Sequence, residues 1–277
     1  MEKQRIKKAK HALLFGESRP FGKTLSSRIF TILAIITLLA NIFVPAPSLS
    51  HAQVIPLNTQ ASTMLAGEVP SYPFSFVVLG DTRRSDPNDA IDEEFADILL
   101  EIAALSPKPD FVIDVGDLVN TDTQGQYIVY HDHVSSWMTT NDIPFFSVPG
   151  NHEFYATDAF AHYATYVGTE LDYYFDFGNS RFITVNDCQH PGDSSYHIDA
   201  AQLSSVETWL DTAPVNRFAF VHAPITRYDP IGGTGLDTPG YQAFHDLLVQ
   251  YGARAAFAGH FPSTPKRGDG LSIWSVA

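Results

Sequence analysis

Cysteine is almost absent: the 277 residues contain one, Cys188. A lone thiol rules out an internal disulfide and any cysteine-built zinc site, so a metal in this chain must be held by His, Asp, Glu or Asn. Basic residues are equally scarce in the part expected to fold. The chain has 17 Lys/Arg and 31 Asp/Glu; residues 1–52 hold eight and two of these, which leaves 9 and 29, a net charge of −20, for residues 53–277. A surface of that sign repels phosphate backbones, so binding to nucleic acid is not expected, while divalent cations are favoured. Acidity also serves plain solubility, and charge alone does not choose between these uses. Internal repeats and low-complexity tracts are missing too. What is present, 44% hydrophobic and 17% charged residues, suits a single globular domain with a substantial core.

The amino-terminal segment, residues 1–52, reads as an export signal with a long basic region containing Lys3, Arg5, Lys7, Lys8, Lys10, Arg19, Lys23 and Arg28. Its apolar run, Ile29 to Val44, is 16 residues long, short of the ~20 that a membrane span needs. Ser50-His51-Ala52 offers a small-x-small cleavage pattern before Gln53. An uncleaved signal anchor is the alternative, and only then would a membrane be a partner. Both readings put the folded part outside the cytoplasm, secreted or periplasmic. Residues 53–73 contain Pro56, Pro70 and Pro73 and little periodicity, so they read as a linker.

The remaining domain, residues 74–277, alternates strand-like and helix-like stretches. Phe74 to Leu79 is an apolar run ending in Gly80-Asp81-Thr82-Arg83. Residues 89–105 show helical spacing, with Ile91, Phe95, Ile98, Leu99 and Ile102 on one face. A second strand, Phe111 to Val115, ends in Gly116-Asp117-Leu118-Val119-Asn120, and a helix from Gln124 to Thr139 leads to a third, Ile143 to Val148. That third run meets Pro149-Gly150-Asn151-His152-Glu153. Tyr173–Phe177 and Arg181–Val185, separated by Gly178-Asn179-Ser180, read as a hairpin. A helix over Asp199–Leu210 has Asp199 as its cap. Phe218 to Val221 ends in His222-Ala223-Pro224; a helix Gln242–Gln250 follows, then Ala255 to Ala258 ending in Gly259-His260, and a last strand, Leu271 to Val276. Strands this uniformly apolar belong to a largely parallel sheet covered on both faces, with chemistry at their carboxyl ends.

Five strand ends thus bear Asp81, Asp117, Asn151-His152, His222 and His260. The ordered set Gly-Asp, Gly-Asp-x-x-Asn, Gly-Asn-His-Glu, His-x-Pro and Gly-His resembles the calcineurin-like metallophosphoesterases from about Phe74 to Val276. The resemblance implies an α/β, four-layer αββα sandwich around two divalent metals ~3.5–4 Å apart. It also implies further strands after Val276, so that the chain is expected to be a truncated form of that fold. Asp117 matches the carboxylate bridging both metals; Asn151, His222 and His260 match the ligands completing one site, and Asp81 matches a ligand of the other. His152 matches the residue that protonates the leaving oxygen. The implied reaction is metal-dependent hydrolysis of a phosphomonoester or phosphodiester by attack of a metal-bound hydroxide. Oxygen and imidazole donors suit Mn, Fe or Zn. Glu153 is expected to orient a ligand or a backbone amide rather than bind metal. The rings of Tyr155 and its aromatic neighbours read as packing, and His131 and His133 as a solvated helix face.

Two departures affect a single site. The family's first motif has Asp-x-His, but Asp81 is followed by Thr82 and Arg83; its last has Gly-His-x-His, but His260 is followed by Phe261 and Pro262. An arginine offers no lone pair to a cation. Three explanations stand open: a replacement ligand from Asn120, Asp187 or His190; Arg83 holding substrate phosphate itself; or a weakly active or inactive relative that serves as a binding module.

Overall fold

The computed structural model describes residues 53–70, 72–83, 93–155, 159–188, 196–225, 239–260 and 271–276. Three strands, β1 (Phe76–Leu79), β2 (Phe111–Asp114) and β3 (Phe145–Ser147), form one sheet in that order, all parallel, with Phe76 opposite Phe111 and Val112 opposite Phe145. Five more make a second sheet: β4 (Tyr173–Phe177), β5 (Ser180–Thr184), β6 (Asn216–Phe220), β7 (Ala255–Ala258) and β8 (Ser272–Ser275). The β4–β5 hairpin is antiparallel and every other pairing in this sheet is parallel. β2 is buried along its whole length, which explains its lack of polar alternation.

Phenylalanine joins the two sheets. Phe76 meets Phe182 and Phe218 edge-on at 5.2 and 5.5 Å, Phe111 meets Phe182 at 4.9 Å, and Phe146 stacks on Phe175 at 4.1 Å. Such pairs add about 0.5–1.5 kcal/mol each beyond the area they bury. Helices close the outer faces. Over the first sheet lie α1 (Leu57–Leu65), α2 (Glu93–Ala104), α3 (Gln124–Asn141) and α4 (Ala159–Tyr166), sharing one core with it. Over the second lie α5 (Ala200–Asp211) and α6 (Tyr241–Gln250), whose Val206, Leu210, Phe244 and Leu248 pack with Ile183, Ala219 and Ala256. The αββα sandwich is therefore present. Among the described residues no helix is long and apolar enough to cross a membrane.

The structure differs from the sequence reading in three places. Residues 57–65, expected within a linker, form α1 with Leu57, Ala61 and Leu65 buried. Asn58 explains its docking: the side chain donates from Nδ2 to the Ser147 carbonyl at 3.0 Å and accepts the Ser147 amide at Oδ1 at 2.9 Å, pairing the outer edge of β3 as a strand would. The apolar stripe of α1 is one residue wide, too narrow a signal beside three prolines. On α2, Phe95, Leu99 and Ile102 are buried, whereas Ile98 is exposed and Ile91 lies outside the described residues. His131 and His133 point apart as expected, but neither is simply solvated: His131 hydrogen-bonds the Ile55 carbonyl at 3.0 Å, and His133 sits against Phe95.

The capping of α5 follows the sequence. Asp199 accepts the Gln202 amide at 2.8 Å, and the Gln202 side chain returns to the Asp199 amide at 2.9 Å. This closes the first turn of the helix that covers the second sheet.

Candidate metal centre

The turns after β1, β2, β3, β6 and β7 meet at one end of the two sheets. Three residues there hold the left-handed backbone that β-carbons disfavour: Asp81 (φ 53°), Asp117 (φ 59°) and His260 (φ 66°). Such strain costs on the order of 1–3 kcal/mol per residue and persists only where surroundings enforce it. Here each strained amide is held by a neighbouring turn. Asp81 donates to the Gly116 carbonyl at 2.9 Å, Asp117 to Glu153 Oε2 at 3.0 Å, and His260 to Asp81 Oδ2 at 2.7 Å.

Close approach explains the glycine before Asn151. A β-carbon on Gly150 would lie 2.4 Å from the Asp117 amide and 2.5 Å from Asp117 Oδ1. Glycine at this position lets the third turn come up against the second.

Glu153 organises both turns from beneath. Fully buried, its carboxylate accepts amides from Gly150 (2.6 Å), Asp117 (3.0 Å), Leu118 (2.8 Å) and Val119 (3.0 Å). Burial, then the nearby Asp117 charge, raises its pKa to about 7 against the pull of those donors. Its expected role in orienting backbone amides is matched by this geometry.

On one side of Asp117, three atoms of metal-ligand type converge. His222 donates from Nδ1 to the Val115 carbonyl at 2.9 Å, which leaves Nε2 facing Asn151 Oδ1 at 3.1 Å and Asp117 Oδ1 at 3.3 Å. The Asn151 amide donates to the Tyr155 hydroxyl at 2.6 Å, so its oxygen is the atom turned inward. Tyr155 therefore does more than pack. Separations of this size suit neighbouring ligands of one ion bound at ~2.0–2.2 Å, and Asp117 Oδ1 also accepts the His152 amide at 3.1 Å. His260 joins the group: one ligand atom each from Asp117, His222 and His260 lie within 4.8 Å of one another. The His260 ring lies 5.0 Å from that of His222, with Nε2 3.1 Å from the Tyr196 hydroxyl. Burial lowers the His222 pKa, but Asp117, Asp81 and Asp187 outweigh it and the net shift is upward, the mark of a pocket with excess negative charge. These residues fit a divalent ion.

The other side of Asp117 is built differently. Arg83 donates from Nε to Asp117 Oδ2 at 2.9 Å, and its amide donates to the Asp117 carbonyl at 2.9 Å. Asp81, the remaining acidic group on this side, already accepts the His260 amide. Burial raises the Asp81 pKa. A cavity of about 430 Å³ is lined by Asp81, Thr82, Arg83, Phe95 and Ile98 among others, and so reaches this turn. A second divalent ion does not fit well here, because a guanidinium stands against the oxygen it would need.

Of the replacement ligands considered, Asp187 is excluded by its bonds. Its Oδ1 accepts the His222 amide at 3.2 Å, and its Oδ2 accepts the Ala223 amide at 2.8 Å and the Tyr241 hydroxyl at 2.5 Å. It clamps the turn that presents His222. Asn120 contributes its backbone carbonyl to His152 Nδ1 at 2.7 Å. His190 lies outside the described residues. Sequence reasoning passed over Asp114, a fully buried carboxylate at the end of β2 that accepts Thr82 Oγ1 at 2.9 Å and the Gly116 amide at 3.1 Å. An aspartate closing the apolar run Phe111–Ile113 was its available signal.

His152 stands beside the pair of sites. With Nδ1 on the Asn120 carbonyl, its Nε2 lies 3.8 Å from Asp117 Oδ2 and its side chain keeps 17% of its exposure. The Tyr155 ring supports it at 4.7 Å.

Over 55 residues the chain is 38% identical to a probable glycerophosphodiester phosphodiesterase GpdQ of Arcobacter nitrofigilis, a match covering 20% of this chain and 19% of that protein. Thus the match spans about a fifth of that relative. Among solved structures, a dimetal phosphatase from Danio rerio superposes with TM-score 0.55 at 15% identity, covering 73% of this chain and 86% of the other. Purple acid phosphatase PPD1 from yellow lupin superposes with TM-score 0.52 at 16% identity, covering 73% and 43%. The model of the calcineurin-like phosphoesterase family matches residues 74–263, and the chain belongs to that family.

Proposed function

We propose that this chain is an exported, metal-dependent phosphoesterase that hydrolyses a phosphomonoester or phosphodiester. The observation carrying this reading is the convergence, from three strand ends, of Asn151 Oδ1 and Asp117 Oδ1 on His222 Nε2, at 3.1 and 3.3 Å from that imidazole nitrogen, with His152 beside them. Asp117, Asn151, His222 and His260 would hold the ion, which supplies polarisation of a phosphoryl oxygen and a more acidic water.

The chain's own residues do the rest. Asp187 and the Val115 carbonyl fix the His222 ring so that Nε2 alone faces inward. Tyr155 holds the Asn151 amide with its oxygen forward, and Glu153 keeps the two turns in register. His152 has its Nδ1 proton tied to a carbonyl, so Nε2 is the nitrogen that exchanges a proton with the leaving oxygen. Export rests on the pattern of residues 1–52, and both the 55-residue match and the phosphatase-like fold support ester hydrolysis as the reaction class.

The test is turnover of aryl phosphate mono- and diesters by the purified protein, before and after chelation, with metal content measured in parallel. Hydrolysis that disappears on chelation and returns with Mn or Zn is the expected result. A metal-loaded protein that turns over neither class would favour the binding-module reading, and the incomplete second site is the observation behind that alternative.

A further inference from the structure

We propose that Arg83 stands in for a second metal ion: the chain binds one divalent ion, and the Arg83 guanidinium supplies the fixed positive charge on the other side of Asp117 that holds a phosphoryl oxygen. This rests on the phosphoesterase reading and specifies how its site takes the phosphate. The oxygens of Asp117 are divided, Oδ1 towards His222 at 3.3 Å and Oδ2 towards Arg83 Nε at 2.9 Å. A carboxylate oxygen already paired with a guanidinium is a poor partner for a further cation, and an ion placed there would meet a like charge.

Arg83 is locked in place by two bonds to one residue, side chain to Oδ2 and amide to the carbonyl. Only Nε is used by Asp117. Among the described residues the two terminal nitrogens have no hydrogen-bond partner, and the side chain keeps 31% of its exposure. A planar guanidinium presenting two nitrogens matches two oxygens of a phosphoryl group. Asp187 offers no ligand to a second ion, since both its oxygens are engaged beneath the His222 turn.

The experiment uses the full chain, stripped with chelator and titrated with Mn or Zn alone by calorimetry, with elemental analysis of the loaded protein. One ion per chain is expected; two ions per chain would overturn the proposal. Inorganic phosphate binding to the Mn-loaded protein is then compared with Arg83→Gln and Arg83→Lys. Arg83→Gln should weaken phosphate by about 10- to 100-fold, with Arg83→Lys between the two. Unchanged phosphate affinity in Arg83→Gln would also overturn it. The ion count needs no variant, so a folding defect in a substituted protein does not remove the test. Both readouts are binding measurements: absence of ester turnover would defeat the phosphoesterase reading while leaving ion count and phosphate affinity to decide the role of Arg83.

Discussion

The two sides of Asp117 balance the same carboxylate in two different ways. On one side, three side chains from separate strand ends gather, each held by a second bond: His222 by the Val115 carbonyl, Asn151 by Tyr155, His260 by Asp81 through its amide. Towards Oδ2, one side chain from a single turn brings its own charge. The first arrangement gathers the nitrogen and oxygen ligands that a divalent ion takes. The second needs nothing from solution. A guanidinium cannot be chelated away, whereas it also cannot lower the pKa of water as a divalent ion does.

That contrast can be broken most sharply at His222. Replacing it by Ala should weaken binding of Mn or Zn by more than about 100-fold, read by calorimetry, and abolish hydrolysis with it. Retained metal would remove this strand end from the ion's ligands. At His152, which serves both sides, Ala should lower kcat by about 10²- to 10⁴-fold while metal content stays the same; loss of metal would make it a ligand instead. Beneath them, Glu153→Gln places an amide nitrogen against backbone donors that now bond a carboxylate. A loss of roughly 2–4 kcal/mol in unfolding free energy is expected, measured by denaturant titration, and a neutral effect would mean the turns hold without it. The smallest effect belongs to the arginine side. Asp81→Asn keeps an acceptor for the His260 amide, so ion affinity should fall by less than about 10-fold. A drop as large as that for His222→Ala would make Asp81 an equal ligand and erase the asymmetry.

Much of the fold could be read along the chain. Apolar runs such as Phe111–Ile113 and Ala255–Ala258 mark strands buried on both faces, and Asp199 with Gln202 marks the start of α5. α1 was hidden because its stripe of Leu57, Ala61 and Leu65 gains meaning only against the edge of β3, which Asn58 pairs. Ile98 shares a helical face with Phe95 and Leu99 in sequence, yet it remains 43% exposed. Asp187 shows the same limit at the site. Chain position offered it as a ligand, but its carboxylate is spent on two amides and the Tyr241 hydroxyl.

The sequence by itself determined which donor types stand at the strand ends, Asp81, Asp117, Asn151, His222 and His260, and that a histidine is missing where Arg83 stands. Those are local properties: a strand is recognised by its neighbours in the chain, and the residue after it is set by the same few positions. Only the tertiary structure decided which oxygen faces which group. Asp117 and Arg83 are 34 residues apart, His222 and the Val115 carbonyl 107, and His260 and Asp81 179; the first contact waits on β1 pairing with β2, and the other two on the two sheets packing. That packing turned one carboxylate into two half-sites of opposite design, one shaped for an ion and one already filled by a cation of the chain.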